Sequence, residues 1–395
     1  MKIEEVSGGI CAVKGVRAYG IKEDSKGLAL IEGSGKAAGV FTLNKLKAAP
    51  LLFTKRQLEG GHISAVIANS GCANSFTGEQ GMKNAEKMAE LVASASGVIE
   101  EEVAVLSTGP IGAQLNMALI ERQLGVVAEG LTSDETGSME AAKAIMTTDT
   151  FHKEHAISID TGDADRVVIG GIAKGSGMIF PDMATMLSFI YTDASLSEEA
   201  LRRCLKDAVD NSFNMIVVDG DMSTNDMVLL VATGRSVAIT EADFKAGLNQ
   251  VCKVLAKQIA RDGEGATKLI EVRVKGAGAD AKCIAREILR SPLVKCAIFG
   301  EHLDLTCGRI IATIGSSAGY VSPDEISISV RNENADAILA VKNGEFMDLS
   351  GSARDIMKGK ELFIDVDMGA GEEIEATAWG CDLSYDYVRI NAGKE

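Results

Sequence analysis

The sequence predicts an α+β chain built in layers, on three observations. Helical and strand-like patterns both recur, but they cluster and do not alternate strictly, which disfavours a doubly wound parallel sheet. Aromatic residues make up only 4% while glycines number 42, so the core uses small and branched aliphatic side chains joined by many tight turns. With five prolines in 395 residues, no repeat and no low-complexity tract, no long hinge is expected. No boundary demands two independently folding domains.

The elements follow in chain order. Residues 63–68 read as an apolar strand, 82–97 as an Ala- and Met-rich helix, and 103–106 as a second strand. Residues 135–146 are helical in pattern, and 166–172 and 187–192 are strands. Ser195-Leu-Ser-Glu198 resembles a capping box, followed by Leu201, Leu205 and Ala208 at helical spacing. A strand covers 227–232. Thr240 to Asp243 opens a long helix with Phe244, Leu248, Val251, Leu255 and Ile259 on one face, ended by Gly263. Residues 270–274 form a strand and 279–290 a helix. The β-branched run 309–314 reads as a strand. The runs 362–367 and 374–379 alternate and read as strands.

Composition excludes several functions. A net charge of −16 with no Lys/Arg cluster argues against a nucleic-acid partner. No apolar run reaches the roughly 18 residues of a spanning helix. The opening MKIEEVSGG turns acidic at once and lacks the core of a signal peptide, so a cytoplasmic protein with no membrane partner is expected. Eight cysteines occur without a CxxC pair, which fits reduced thiols. Neither a metal nor a cofactor is expected. His152 and His155 read as a solvated helix or loop edge.

Five polar runs stand out. Lys174 to Leu187 holds Gly175-Ser-Gly177, Pro181, and Thr185 among Met183, Ala184, Met186 and Leu187. It admits three readings: a glycine-rich turn leading into a buried strand, a weak phosphate cradle, or a threonine nucleophile. In the last, cutting the Ala184–Thr185 bond would place a hydroxyl and a free α-amine on one residue. With a pKa of about 7.7–8.0, that amine could serve as the base. Ser107-Thr108-Gly109-Pro110 could aim two donors at one oxygen, or be a strand-ending turn. Ala68 to Asn74 and Asp219 to Asp226 are small polar turns on apolar strands. Asp219, Asp221 and Asp226 mimic a cation loop, but Leu230 stands where its last Glu would be. The fifth run is Arg261 to Glu271; its Glu271, at the start of an apolar strand, is out of place unless paired.

Together these runs resemble the ornithine acetyltransferase (glutamate N-acetyltransferase) family of arginine biosynthesis. The resemblance spans nearly the whole chain. It includes Val40-Phe-Thr-Leu-Asn44 with Ala48-Ala-Pro50, Ser107-Thr-Gly109, Met146-Thr-Thr-Asp-Thr150 and Lys174 to Leu187. It continues through Asp219 to Asp226, Asp262 to Glu271, Ser291 to Lys295 and Ala378 to Leu383. The resemblance implies a layered α/β/β/α sandwich, the ornithine acetyltransferase/DmpA-like fold, of N-terminal-nucleophile type after self-cleavage. Cleavage between Ala184 and Thr185 would give an α chain, 1–184, and a β chain, 185–395. It implies Thr185 as nucleophile, Thr108 and Gly109 as oxyanion hole, and Thr148, Lys174, Thr185, Glu271 and Asn391 as substrate contacts.

The implied reaction moves acetyl from N2-acetyl-L-ornithine to L-glutamate, with no cofactor and an α2β2 assembly. Acetyl-CoA enters only as an alternative donor of a bifunctional enzyme. An amide hydrolase or aminopeptidase of related fold is a further alternative. Departures from the family pattern are Phe180 for His, Asp182 for Asn, Met222 for Thr, and Gly300 to Arg309, longer than the usual Gly-Glu-Asp-Pro-Asn-Trp-Gly-Arg.

Overall fold

The computed structural model describes residues 2–162, 166–180, 186–319, 321–349, 353–369 and 374–393. They form two compact units. The first comprises Met1–Ser176, Asp182–Asn214 and Met222–Leu255; the second comprises Gly177–Pro181, Met215–Asp221 and Ala256–Glu395. This is a division by packing, distinct from the expected cleavage into two chains.

The first unit is built on a sheet that has nine strands among the described residues. These are β1 (Lys2–Val6), β2 (Arg17–Glu23), β3 (Lys26–Phe41), β4 (His62–Ser70), β5 (Val103–Thr108), β6 (Lys153–Asp160), β7 (Arg166–Lys174), β8 (Leu187–Thr192) and β10 (Met227–Ala232). The order is β1-β6-β7-β8-β10-β3-β4-β5, with β2 on β3. β8–β10 and β4–β5 are parallel, while the other pairs are antiparallel.

Both faces of this sheet are buried, because apolar side chains occupy both parities of its central strands. Ala29, Ile31, Val66, Ala104 and Leu106 pack on one side with Ala141 and Ala144 of α4 (Glu135–Ala144). Leu28, Leu30, Ile67, Val103 and Val105 pack on the other. There they meet Met88 and Val92 of α2 (Gly78–Ser96) and Leu124 of α3 (Met117–Gly130). α1 (Ala49–Gln57) and α5 (Glu198–Asp210) complete the helices wholly within this unit.

The second unit's sheet has seven strands among the described residues: β9 (Ile216–Val217), β11 (Leu269–Lys275), β12 (Ser327–Asn332), β13 (Ile338–Lys342), β14 (Glu345–Phe346), β15 (Glu361–Asp367) and β16 (Glu375–Cys381). Their order is β14-β13-β12-β15-β11-β16-β9. Burial alternates along β15 and β12, so one face is apolar. α7 (Ala281–Arg290) presses Ile284, Ile288 and Leu289 into the core. α8 (Pro292–Phe299), α9 (Leu303–Ser317), α10 (Ala353–Met357) and α11 (Tyr385–Asn391) follow. α6 (Glu241–Arg261) begins in the first unit and ends in the second.

The chain is α+β. The strands expected at 187–192 and 227–232 run from end to end as read. The strand expected at 309–314 is instead part of helix α9. Leu303, Thr306, Cys307, Ile310 and Ile314 share its buried face, so helical spacing over four turns outweighs a local β-branched run. The cap of α5 is Ser197, whose side chain accepts from Ala200 N at 3.2 Å, while Ser195 lies in an isolated bridge with Ala238. His155 is in strand β6, not on a helix or loop edge.

Among the described residues no helix is long and apolar enough to cross a membrane. The cysteines are free thiols, and burial pushes Cys11 and Cys307 up to about 12.

Candidate active site

Three of the polar runs meet in the first unit, after the C-terminal ends of β4 and β5 and before the start of β10. β4 and β5 are parallel and in register, with Asn69 beside Ser107 and Ser70 beside Thr108. Ser107 Oγ donates to Asn69 Oδ1 at 2.6 Å, and Asn69 Nδ2 donates to the Cys72 carbonyl at 2.9 Å. Asn225 bridges the runs: its Nδ2 donates to Ala73 O at 2.7 Å and Ser107 O at 2.8 Å. Thr224 Oγ1 donates to Asn225 Oδ1 at 2.6 Å and accepts from Ser75 Oγ at 2.8 Å. These groups are buried, so each needs such a partner.

Thr108 and Gly109 sit on this platform. Thr108 is buried, and its carbonyl accepts from Cys72 N at 3.0 Å. Gly109 has φ +137°, and a Cβ there would lie 2.5 Å from Cys72 N and 2.6 Å from Gly71 C. Only glycine fits so close to another backbone. The run from Val40 to Asn44 is tied in as well. Thr42 Oγ1 donates to Ser223 O at 2.9 Å, and Asn44 Nδ2 donates to Met222 O at 3.0 Å.

Asp226 is fully buried, and its Oδ1 accepts from Met186 N at 3.0 Å. Burial pushes its carboxyl well above the usual range, more than the Met186 N–H and Lys174 lower it. The residue before Met186 in the chain is Thr185; Thr185 and Ala184 lie outside the described residues.

Lys174, at the end of β7, is buried and donates to Thr147 Oγ1 at 2.8 Å. Its ammonium lies 3.8 Å from Asp149, which Lys153 contacts at 2.8 Å. Burial raises the Asp149 carboxyl, but Lys174 and Lys153 outweigh it and hold it well below the usual range. Thr148 is exposed beside this cluster in sequence.

Glu271 and Asn391 belong to the second unit. Glu271 on β11 is paired, as its place in an apolar strand requires. Its Oε2 accepts from Trp379 Nε1 at 2.8 Å and Lys257 Nζ at 3.0 Å. Asn391, at the end of α11, is exposed and donates to Glu264 Oε2 at 2.6 Å. Asp219 accepts from the N–H groups of Met178 at 2.6 Å and Ile179 at 2.9 Å, fixing the run that leads toward residue 181.

Its oxygens are thus taken by amides, and among the described residues no cluster of three or more His, Cys, Asp or Glu could hold a metal. His155 is half-buried, and burial pushes its pKa down. Asp149, Lys153, Asn69 and Asn225 were not singled out by sequence reasoning. The available signal was their place inside, or next to, the quoted polar runs.

The model of the ArgJ family matches residues 13–394. The chain belongs to the ArgJ family. It is 50% identical over 399 residues to a glutamate N-acetyltransferase of Methanosarcina mazei, covering 99% of both chains. It is 45% identical to an arginine biosynthesis bifunctional protein of Symbiobacterium thermophilum, covering 98% of this chain and 99% of that one. A crystal structure of such a bifunctional protein from Bacillus halodurans is 43% identical, covers 53% of this chain and 100% of its own, and has a TM-score of 0.49. Val40 to Asn44, Ser107 to Gly109 and the 222–226 part of Asp219 to Asp226, which converge in the first unit, are among the runs that carry the family resemblance.

Proposed function

We propose that this chain is an acyltransferase that moves an acetyl group from N2-acetyl-L-ornithine to L-glutamate. What carries the reading is full-length similarity: half of all positions match a protein named glutamate N-acetyltransferase over 99% of both chains. The buried platform under Thr108 and Gly109 supports it.

In this reading the chain cuts itself between Ala184 and Thr185. The Thr185 hydroxyl attacks the acetyl carbonyl and gives its proton to the freed α-amine. The developing oxyanion is received by donors of Thr108 and Gly109. Lys174 receives the α-carboxylate of the donor, and Glu271 receives its distal amine. Thr148 and Asn391 complete the contacts. Ornithine leaves with the proton, and an acetyl-Thr185 ester remains. The amine of glutamate attacks that ester, the Thr185 oxygen leaves and takes up the proton lost by the amine through the Thr185 α-amine, and N-acetylglutamate departs. The reaction needs no cofactor. The two chains stay together as α2β2 in the cytoplasm.

A denaturing gel with N-terminal sequencing tests the processing. Two bands are expected, one beginning Thr-Met-Leu, and Thr185→Ala should give one uncut band without activity. Initial rates with both substrates varied should give parallel double-reciprocal lines. A single band in fully active protein overturns the mechanism. A relative named bifunctional motivates the test of a second donor, acetyl-CoA, alongside the single activity. Glutamate acetylation with acetyl-CoA alone decides that point.

A further inference from the structure

Two buried lysines meet one buried aspartate in the first unit, and the proposed chemistry uses only one of the three. Lys153, at the start of β6, and Asp149 have fully buried side chains, and Lys174 is 2% exposed. An ammonium group taken out of water is costly unless it is paired. Lys153 is held over the Phe151 ring, 4.8 Å from its centroid, and also donates to Phe151 O at 3.2 Å. Such a placement calls for a reason beyond packing.

Asp149 is the hub of the cluster. Its Oδ1 accepts from Lys153 Nζ at 2.8 Å and from Gly175 N at 2.7 Å. Its Oδ2 accepts from Thr147 N at 2.9 Å and faces Lys174 Nζ at 3.8 Å. One carboxylate thus fixes the backbone beside Thr148 and the backbone beside Lys174, and faces the Lys174 ammonium. The register of β6 and β7 sets Lys153 opposite Ala173, next to Lys174. Lys153 is in direct contact with the carboxylate, whereas Lys174 stands off and is steered through Thr147 Oγ1.

We propose that Asp149 is a positioning residue that aims Lys174 at the α-carboxylate of the acetyl donor. Lys153 is the counter-charge that keeps Asp149 from drawing Lys174 onto itself. The proposal rests on the reading that Lys174 receives that carboxylate.

Inhibition by ornithine and by 1,4-diaminobutane tests it. The two share both amines, and only ornithine has the carboxylate. Inhibition constants do not depend on the fraction of enzyme that is folded. Ornithine should inhibit more tightly than the diamine. Asp149→Asn and Lys153→Met should each shrink that preference about tenfold, the scale of about 1.4 kcal/mol in one polar contact, with diamine inhibition little changed.

Lys153→Met keeps the volume and removes the charge, so it carries the test if Asp149→Asn does not fold. Equal weakening of both inhibitors, with the preference intact, would mean a structural role only and overturns the proposal. Lys174→Met separates the two levels. If it leaves the preference intact, the carboxylate reading of Lys174 fails. If it abolishes the preference while the other two variants keep it, only the present proposal fails.

Discussion

Gly109→Ala is the sharpest test of the platform under the proposed oxyanion hole. At φ +137° an L-residue is strained, at a cost of about 1–3 kcal/mol. The new Cβ would also stand 2.5 Å from Cys72 N and 2.6 Å from Gly71 C. Carbon contacts are at rest near 3.5–4.0 Å, so one backbone must give way. It cannot do so freely, because Cys72 N is bonded to Thr108 O at 3.0 Å. Losing that bond adds about 0.5–1.5 kcal/mol, and overpacking adds about 1–3 kcal/mol.

The sum is about 2.5–7.5 kcal/mol if the loop stays, less if it shifts. A shift moves the Gly109 N–H, and one lost oxyanion donor costs roughly 10²–10³ in kcat. Urea unfolding and steady-state kinetics on the same preparation read both effects. A variant within about 0.5 kcal/mol of the parent, with kcat unchanged, would refute the reasoning.

Two further outcomes are expected. Glu271→Gln keeps an acceptor for Trp379 but loses the charge that Lys257 faces at 3.0 Å and that the donor's amine would meet. It should raise KM for N2-acetylornithine about tenfold or more, the scale of a hydrogen bond to a charged group, and leave KM for glutamate nearly unchanged. Equal effects on both substrates would remove Glu271 from the donor site. Asp226→Asn should flatten part of the pH dependence of stability. The folded Asp226 keeps its proton at pH values where the unfolded chain, with an ordinary value of 3.8, has lost it. Its contribution therefore falls as pH rises above that value, and Asn cannot titrate. Urea midpoints at pH 5 and pH 8 should converge in the variant. The same difference as in the parent would show that Asp226 is ionised in the fold.

Strands were legible where burial runs unbroken between polar ends. β8 and β10 have every residue buried; Asp226 and Thr233 bound β10, and Asp193 ends β8, so their limits were plain. β3 was not read, although it is sixteen residues long. Gly27, Gly33, Gly35 and Gly39 interrupt its alternation, and glycine carries no side-chain signal. Helix α9 was misread because Ile310, Ile311, Thr313 and Ile314 sit at its C-terminal half. Its buried stripe becomes visible only when Leu303, Thr306 and Cys307 are included.

The site was legible as a set of runs, but not as a set of bonds, and the reason lies in what buried amides require. Asn225 has two donors and an acceptor, and out of solvent each must find a partner. Its partners are Ala73 O, Ser107 O and Thr224 Oγ1, from three stretches of chain. Two of them are 152 and 118 residues away, beyond any local pattern. The same holds for Lys153, whose partner Asp149 is four residues away, a spacing that suggests a helix, yet the pair spans a turn into β6. Each polar run left alone would bury an unsatisfied group at a cost of about 1–3 kcal/mol. Together they satisfy one another, which is why such runs travel as a set. Replacing Asn225 with an apolar residue would expose that dependence, since it would strand carbonyls of both other runs at once.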